Sequence, residues 1–177
     1  MINRRIALER ITLLLGGVIS TSLRAAILRD ATQNQIYIGV SASQISQIAE
    51  LADVIIPSTN TPSAKAANVQ DFIVKVLQDC YPIAIQEVFY SGLEKLNAES
   101  KSRFGNDFVT ATIIQKNDLV KEASVNNFQF FKLAKELTVS GYFTSEIGAT
   151  QALEYLPVPG KYIGCLPLNR NQKAWAT

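Results

Sequence analysis

The sequence predicts an all-α fold, a single small helical domain of about five to six helices with a Pro-rich loop and a long irregular C-terminal tail. Three observations carry this. Apolar residues recur at three- and four-residue spacing in successive windows, the period of one helical face. No stretch of the chain shows the sustained apolar–polar alternation of a strand-rich fold. The prolines at 57, 62, 82, 157, 159 and 167 fall between the periodic windows or after them, where a missing backbone donor does no harm. With 177 residues, of which 47% are hydrophobic and 18% charged, there is enough apolar material for one core and too little chain for two.

Residues 1–29 read as an export signal. Met1 to Arg10 is basic and carries the pair Arg4-Arg5, Ile11 to Ile19 is an uncharged apolar core, and Ser20, Thr21, Ser22, Ala25 and Ala26 supply small residues for cleavage. The stretch Asn3-Arg4-Arg5-Ile6-Ala7-Leu8 resembles a twin-arginine signal, which serves export of folded proteins. It departs from that pattern at Asn3, Ala7 and Glu9. The alternatives are an amphipathic first helix or an uncleaved tether, although Arg24 and Arg29 interrupt the apolar run short of the roughly 20 residues a spanning helix needs. The five arginines of this segment, opposed by Glu9 alone, account for the net charge of +2, and the remainder is faintly acidic. A nucleic-acid footprint is therefore not expected.

The domain proper is expected from residue 30 to 177, irregular from about 155. Ile45, Ile48, Ala49, Ala52, Ile55 and Ile56 predict a first helix, with Ser43 as N-cap and Pro57 as its stop. Pro57 to Ala67 is a loop by composition. Val69, Phe72, Ile73, Val76, Leu77 and Cys80 predict a second helix between Asn68 as cap and Pro82 as stop. Ile85, Val88, Phe89, Gly92, Leu93 and Leu96 predict a third, after which Asn97 to Asn106 reads as a polar connection. A fourth helix is expected from near Thr110 to about Ala123. Asn126 and Asn127 introduce a fifth, with Phe130, Leu133, Ala134, Leu137 and Gly141 on one face. Ser145 is expected to cap a short helix ending at Leu153. From Tyr155 onward prolines and glycines stop the pattern, yet Leu156, Val158, Tyr162, Ile163, Leu166, Leu168 and Trp175 make the tail too apolar to be a solvated linker. Such a tail either wraps its own helices or binds a partner.

Catalytic constellations are scarce. The chain has no histidine, which removes Ser-His-Asp and Cys-His catalysis, histidine-ligated zinc and an imidazole base. Gly160-Lys161 lacks the surrounding residues of a phosphate loop, no Gly-rich dinucleotide motif is present, and no C-x-x-C-H attaches a haem. No catalytic, cofactor-binding or metal-binding residue is assigned. Asp53, Glu146 and Glu154 are carboxylates of the kind that usually face solvent or cap helices. An enzyme working through Glu146 or Asp53 is the last-ranked reading.

Cys80 and Cys165 are the disulfide candidates. Paired with each other, they would close a loop of about 85 residues, worth about 4 kcal/mol in the chain-entropy model. Alternatively Cys165 pairs with another subunit and Cys80 is buried as a small hydrophobe.

Two blocks are more specific than composition. Leu51 to Val69 (LADVIIPSTNTPSAKAANV) ends a helix in Ile-Ile-Pro and continues into Thr61-Pro62-Ser63-Ala64-Lys65-Ala66-Ala67. Phe131 to Leu168 holds Leu137-Thr138, the run Gly141 to Ala149, then Tyr155, Pro157, Pro159-Gly160, Tyr162, Gly164-Cys165 and Pro167-Leu168. With the twin-arginine-like start, these resemble the gluconate 2-dehydrogenase subunit 3 family. The resemblance implies a cofactor-free, non-catalytic small subunit of a periplasmic sugar or sugar-acid dehydrogenase, associated with export and maturation. FAD would sit on a large flavoprotein subunit, and haem c on a cytochrome c subunit that often accompanies it. Membrane association would come only through the complex or an uncleaved signal. A transient periplasmic export chaperone that leaves the complex is the alternative. The candidate contacts with the large subunit are Pro57 and Pro62 in the loop, Tyr142 and Phe143 before the tail, and Tyr155, Pro157, Pro159, Tyr162, Cys165 and Trp175 within it.

Overall fold

The computed structural model describes residues 39–156 and, in the tail, 158, 160–161, 165, 167 and 170–176. The proposed signal, including Arg4 and Arg5, lies outside the described residues. The described part is built from five α-helices: α1 (Ala42–Ile55), α2 (Val69–Cys80), α3 (Ile83–Phe104), α4 (Ile113–Asn126) and α5 (Phe128–Thr144). A one-turn π-helix, Gly148–Ala152, follows, and two short strands, β1 (Glu154–Tyr155) and β2 (Trp175–Ala176), pair in parallel. The all-α expectation stands.

α5 is the central element. It packs against each of the other four α-helices and carries the largest apolar face, burying Phe130, Leu133, Ala134, Leu137 and Tyr142. Around it α1 rests on α2 and α4, and α3 on α4. Phe89 of α3 and Phe130 of α5 meet with ring centroids 5.6 Å apart, both fully enclosed. Burying side chains of this size contributes about 1.5–3 kcal/mol each and holds the long α3 against α5. Gly92 makes that approach possible, since a Cβ there would lie 2.3 Å from Phe130 Cγ.

Helix ends show where local chemistry overrules spacing. α1 is capped by Ser41, not Ser43. Ser41 Oγ accepts from the Gln44 amide at 3.2 Å while Gln44 Oε1 accepts from the Ser41 amide at 2.9 Å, a reciprocal box. Ser43 has Ser46 three residues on, too short to complete such a box, and its hydroxyl instead accepts from Gln47 Nε2 at 3.4 Å. Asn68 does occupy the position before α2, in the left-handed region at φ 53°, but its side chain makes no cap bond. α4 begins one turn later than Thr110, behind a second box made by Thr112 and Gln115, and runs to Asn126 directly against α5.

The polar connection expected over Asn97 to Asn106 is instead the last two turns of α3. Leu96 and Ser100 continue the buried face, and Ala98, Glu99, Lys101 and Arg103 are good helix formers despite their polarity. The helix stops at Gly105, left-handed at φ 73°, whose amide donates to the Lys101 carbonyl. The true connection is short and pinned. Asn97 Oδ1 accepts from the Phe108 amide at 2.9 Å, its Nδ2 donates to Asp107 at 3.0 Å, and Phe108 is fully buried.

Candidate partner-binding surfaces

The Pro-rich loop is tied down along much of its length. The Ala64 amide donates back to the Ile56 carbonyl at 3.0 Å, and Ser63 and Ala64 are buried. From the far end of α5 the Tyr142 hydroxyl donates to the Pro62 carbonyl at 2.7 Å. Lys65 reaches Glu50 of α1 at 2.5 Å, and the other oxygen of Glu50 meets Lys116 of α4 at 2.6 Å. Glu50 therefore joins α1, the loop and α4 in one ion cluster.

The cluster is low in solvent at its centre: the Lys116 and Glu50 side chains are 10% and 15% exposed. Burial pushes the Glu50 carboxyl up, but the hydrogen bonds and charges of Lys116 and Lys65 outweigh it and hold the carboxyl below its ordinary value. Lys65 is raised, chiefly by its hydrogen bond to Glu50. Sequence reading missed this cluster because its members stand 15 and 66 residues apart and each looks like a surface charge.

One of the proposed contacts is therefore enclosed, and a second is bonded to it. Tyr142 is 1% exposed, and Pro62, half-buried, turns its carbonyl inward to it. A residue this enclosed cannot lie on a partner surface without the domain opening. Pro57 is exposed at the outer rim of the loop. Phe143, adjacent to Tyr142 and in edge contact with it at 5.3 Å, is 40% exposed.

After α5, Ser145 caps as expected. Its hydroxyl accepts from the Gly148 amide at 3.0 Å and donates to the Tyr142 carbonyl at 2.6 Å. The tail then closes on itself. The Glu154 amide donates to the Ala174 carbonyl and the Leu156 amide to the Ala176 carbonyl, both at 2.9 Å, with Glu154 opposite Trp175. Lys173 Nζ donates to the Gln151 carbonyl at 2.6 Å. Tyr155 and Trp175 stay about half exposed, and the strand alternation turns them to opposite faces of the pair. Pro157, Pro159 and Tyr162 lie outside the described residues.

Cys80 and Cys165 are free thiols, and both are exposed. The intrachain bond is thus not formed in this structure. The buried-hydrophobe reading of Cys80 is also corrected: as the last residue of α2 it lies past Leu77, where the packed face ends. Asp53 is half-buried, while Glu146 and Glu154 are exposed. Among the described residues no cluster of three or more His, Cys, Asp or Glu could hold a metal ion, and no helix is long and apolar enough to cross a membrane.

No curated protein and no solved structure matches this chain. A family model does, over residues 42–160, spanning α1 to the start of the tail and including the tied loop and the Ser145 turn. Its description is gluconate 2-dehydrogenase subunit 3, and the chain belongs to that family.

Proposed function

We propose that this protein is the non-catalytic small subunit of a membrane-associated, FAD-dependent gluconate or sugar dehydrogenase complex, and that it supports export, maturation and stability of the large flavoprotein subunit. Family membership over residues 42–160 carries the reading. The half-exposed aromatics Phe143, Tyr155 and Trp175 around the tail support it, because such side chains concentrate binding energy at interfaces. In this reading FAD belongs to the large subunit and haem c to a cytochrome subunit. The twin-arginine-like segment carries the pair to the periplasm, and the exposed Cys165 is available for a disulfide across the interface.

The test is capture of tagged full-length protein from its native periplasm, with flavin read by absorbance and gels run without reductant. Recovery of a flavoprotein in near-equal amount supports a permanent subunit, and a mixed disulfide lost in Cys165→Ser assigns that thiol to the interface. A protein recovered alone and colourless defeats the permanent-subunit reading and leaves the transient export chaperone.

A further inference from the structure

The closure of the tail rests on few contacts. β2 pairs with β1 over two residues on each side. The Glu154 amide donates to the Ala174 carbonyl and the Leu156 amide to the Ala176 carbonyl. Lys173 Nζ adds a bond to the Gln151 carbonyl of the π-helix, 22 positions away in sequence. No residue of either strand is buried, and Lys173 is exposed. A two-stranded pair of this size gains little apolar burial and is not stable by itself. The entropy lost in closing the intervening chain offsets much of what a few exposed hydrogen bonds return.

Just upstream the chain is firmly packed. Gly148 is buried, and a Cβ on it would overlap the Tyr142 carbonyl oxygen, so the π-helix abuts the end of α5. Ser145 Oγ holds the same turn by accepting from the Gly148 amide. A fixed turn therefore gives way to an exposed closure within a few residues, between Gly148 and Glu154.

We propose that residues 173–176 are a clasp that opens and closes on the folded domain. Closed, they hold the tail as a loop beside the π-helix. Open, they release the tail and free the amides of Glu154 and Leu156, while the five α-helices stay folded. Segments held by exposed hydrogen bonds with few apolar contacts open at free energies well below that of global unfolding. The clasp stands apart from the subunit reading and does not depend on it.

Trp175 is the single tryptophan of the chain and lies in β2, so its fluorescence reports on the closure. Full-length protein is unfolded in urea and followed both by Trp175 emission and by helical circular dichroism. The Trp175 transition is expected at lower urea than the helical one. Amide exchange under native conditions is the second readout. Glu154 and Leu156 should exchange at least about a hundredfold faster than Leu137 of α5. Lys173→Ala should quicken them about tenfold further and leave Leu137 unchanged. Coincident urea transitions, or Glu154 and Leu156 as slow as Leu137, would place the tail in one cooperative unit with the helices and overturn the clasp. Exchange unmoved by Lys173→Ala would overturn it as well. Deletion of residues 173–177 should leave the thermal midpoint of the helices within about 3 °C of the full-length value. A larger fall would show that the helices depend on the closure, and would likewise overturn the proposal.

Discussion

The Tyr142 hydroxyl lies 2.7 Å from the Pro62 carbonyl, joining residues 80 apart in sequence and fastening the Pro-rich loop to the end of α5. The phenol is otherwise enclosed, so this bond satisfies a buried donor and orders a loop that composition alone would leave free. Tyr142→Phe should cost about 1–3 kcal/mol, because the ring still fills its site while the Pro62 carbonyl loses its partner. Urea unfolding measures it. A change within error would mean that water replaces the hydroxyl without loss.

The Glu50 cluster makes a second prediction. Glu50→Gln leaves Lys116 enclosed without a counter-charge and should cost about 2 kcal/mol at neutral pH, less than a fully buried pair because part of the cluster reaches solvent. The effect depends on pH. Glu50 is held below its ordinary value of 4.5. Its contribution is therefore complete above that value and is lost as the pH falls through the lower, folded one. Lys65 behaves oppositely: its raised value keeps its contribution below 10.5 and releases it as the pH rises beyond. The gap between wild type and Glu50→Gln should accordingly narrow in acid. A gap that is constant from neutral pH to well below 4.5 would contradict the assignment.

Gly92 is a packing requirement. Ala at this position places a methyl group 2.3 Å from Phe130 Cγ, so the ring or α3 itself must shift. The expected cost is about 1–3 kcal/mol, against the gain of several tenths that alanine brings to an open helix position. Thermal unfolding of Gly92→Ala decides between them, and a raised midpoint would show that Phe130 gives way freely.

The two thiols give a prediction that needs no unfolding. With Cys80 and Cys165 both free and exposed, the isolated folded protein should titrate two thiols with a colorimetric reagent in the absence of denaturant. Under oxidising conditions its monomer should run alike with and without reductant. Faster migration of the unreduced monomer would instead reveal the intrachain bond.

The amino-acid sequence determined the helices wherever a long apolar stripe met a clear stop. α1, α2 and α5 stand close to where Ile48, Ile73 and Leu133 and their periodic neighbours place them, because a period of 3.6 residues is a local property of the chain. The Ser145 cap was legible for the same reason, its bonds lying within three residues. Local reading failed where polarity and helicity part company. The end of α3 is polar yet helical, since Leu96 and Ser100 alone suffice to keep one edge buried.

The candidate surface divides in the same way. Pro57, Phe143, Tyr155 and Trp175 are exposed, but Tyr142 and the Pro62 carbonyl are turned to each other, and only the fold brings them together. The Glu50–Lys65–Lys116 cluster and the enclosure of Tyr142 are likewise products of packing. No local rule announces them: a charge is classed as buried or exposed by what the other helices place around it. The sequence alone thus determined most of the helical segments and the lack of histidine, while the tertiary structure decided where α3 ends and which polar and aromatic side chains hold the domain together and which remain on its surface. Long-range contacts, formed between residues tens of positions apart, set that distinction.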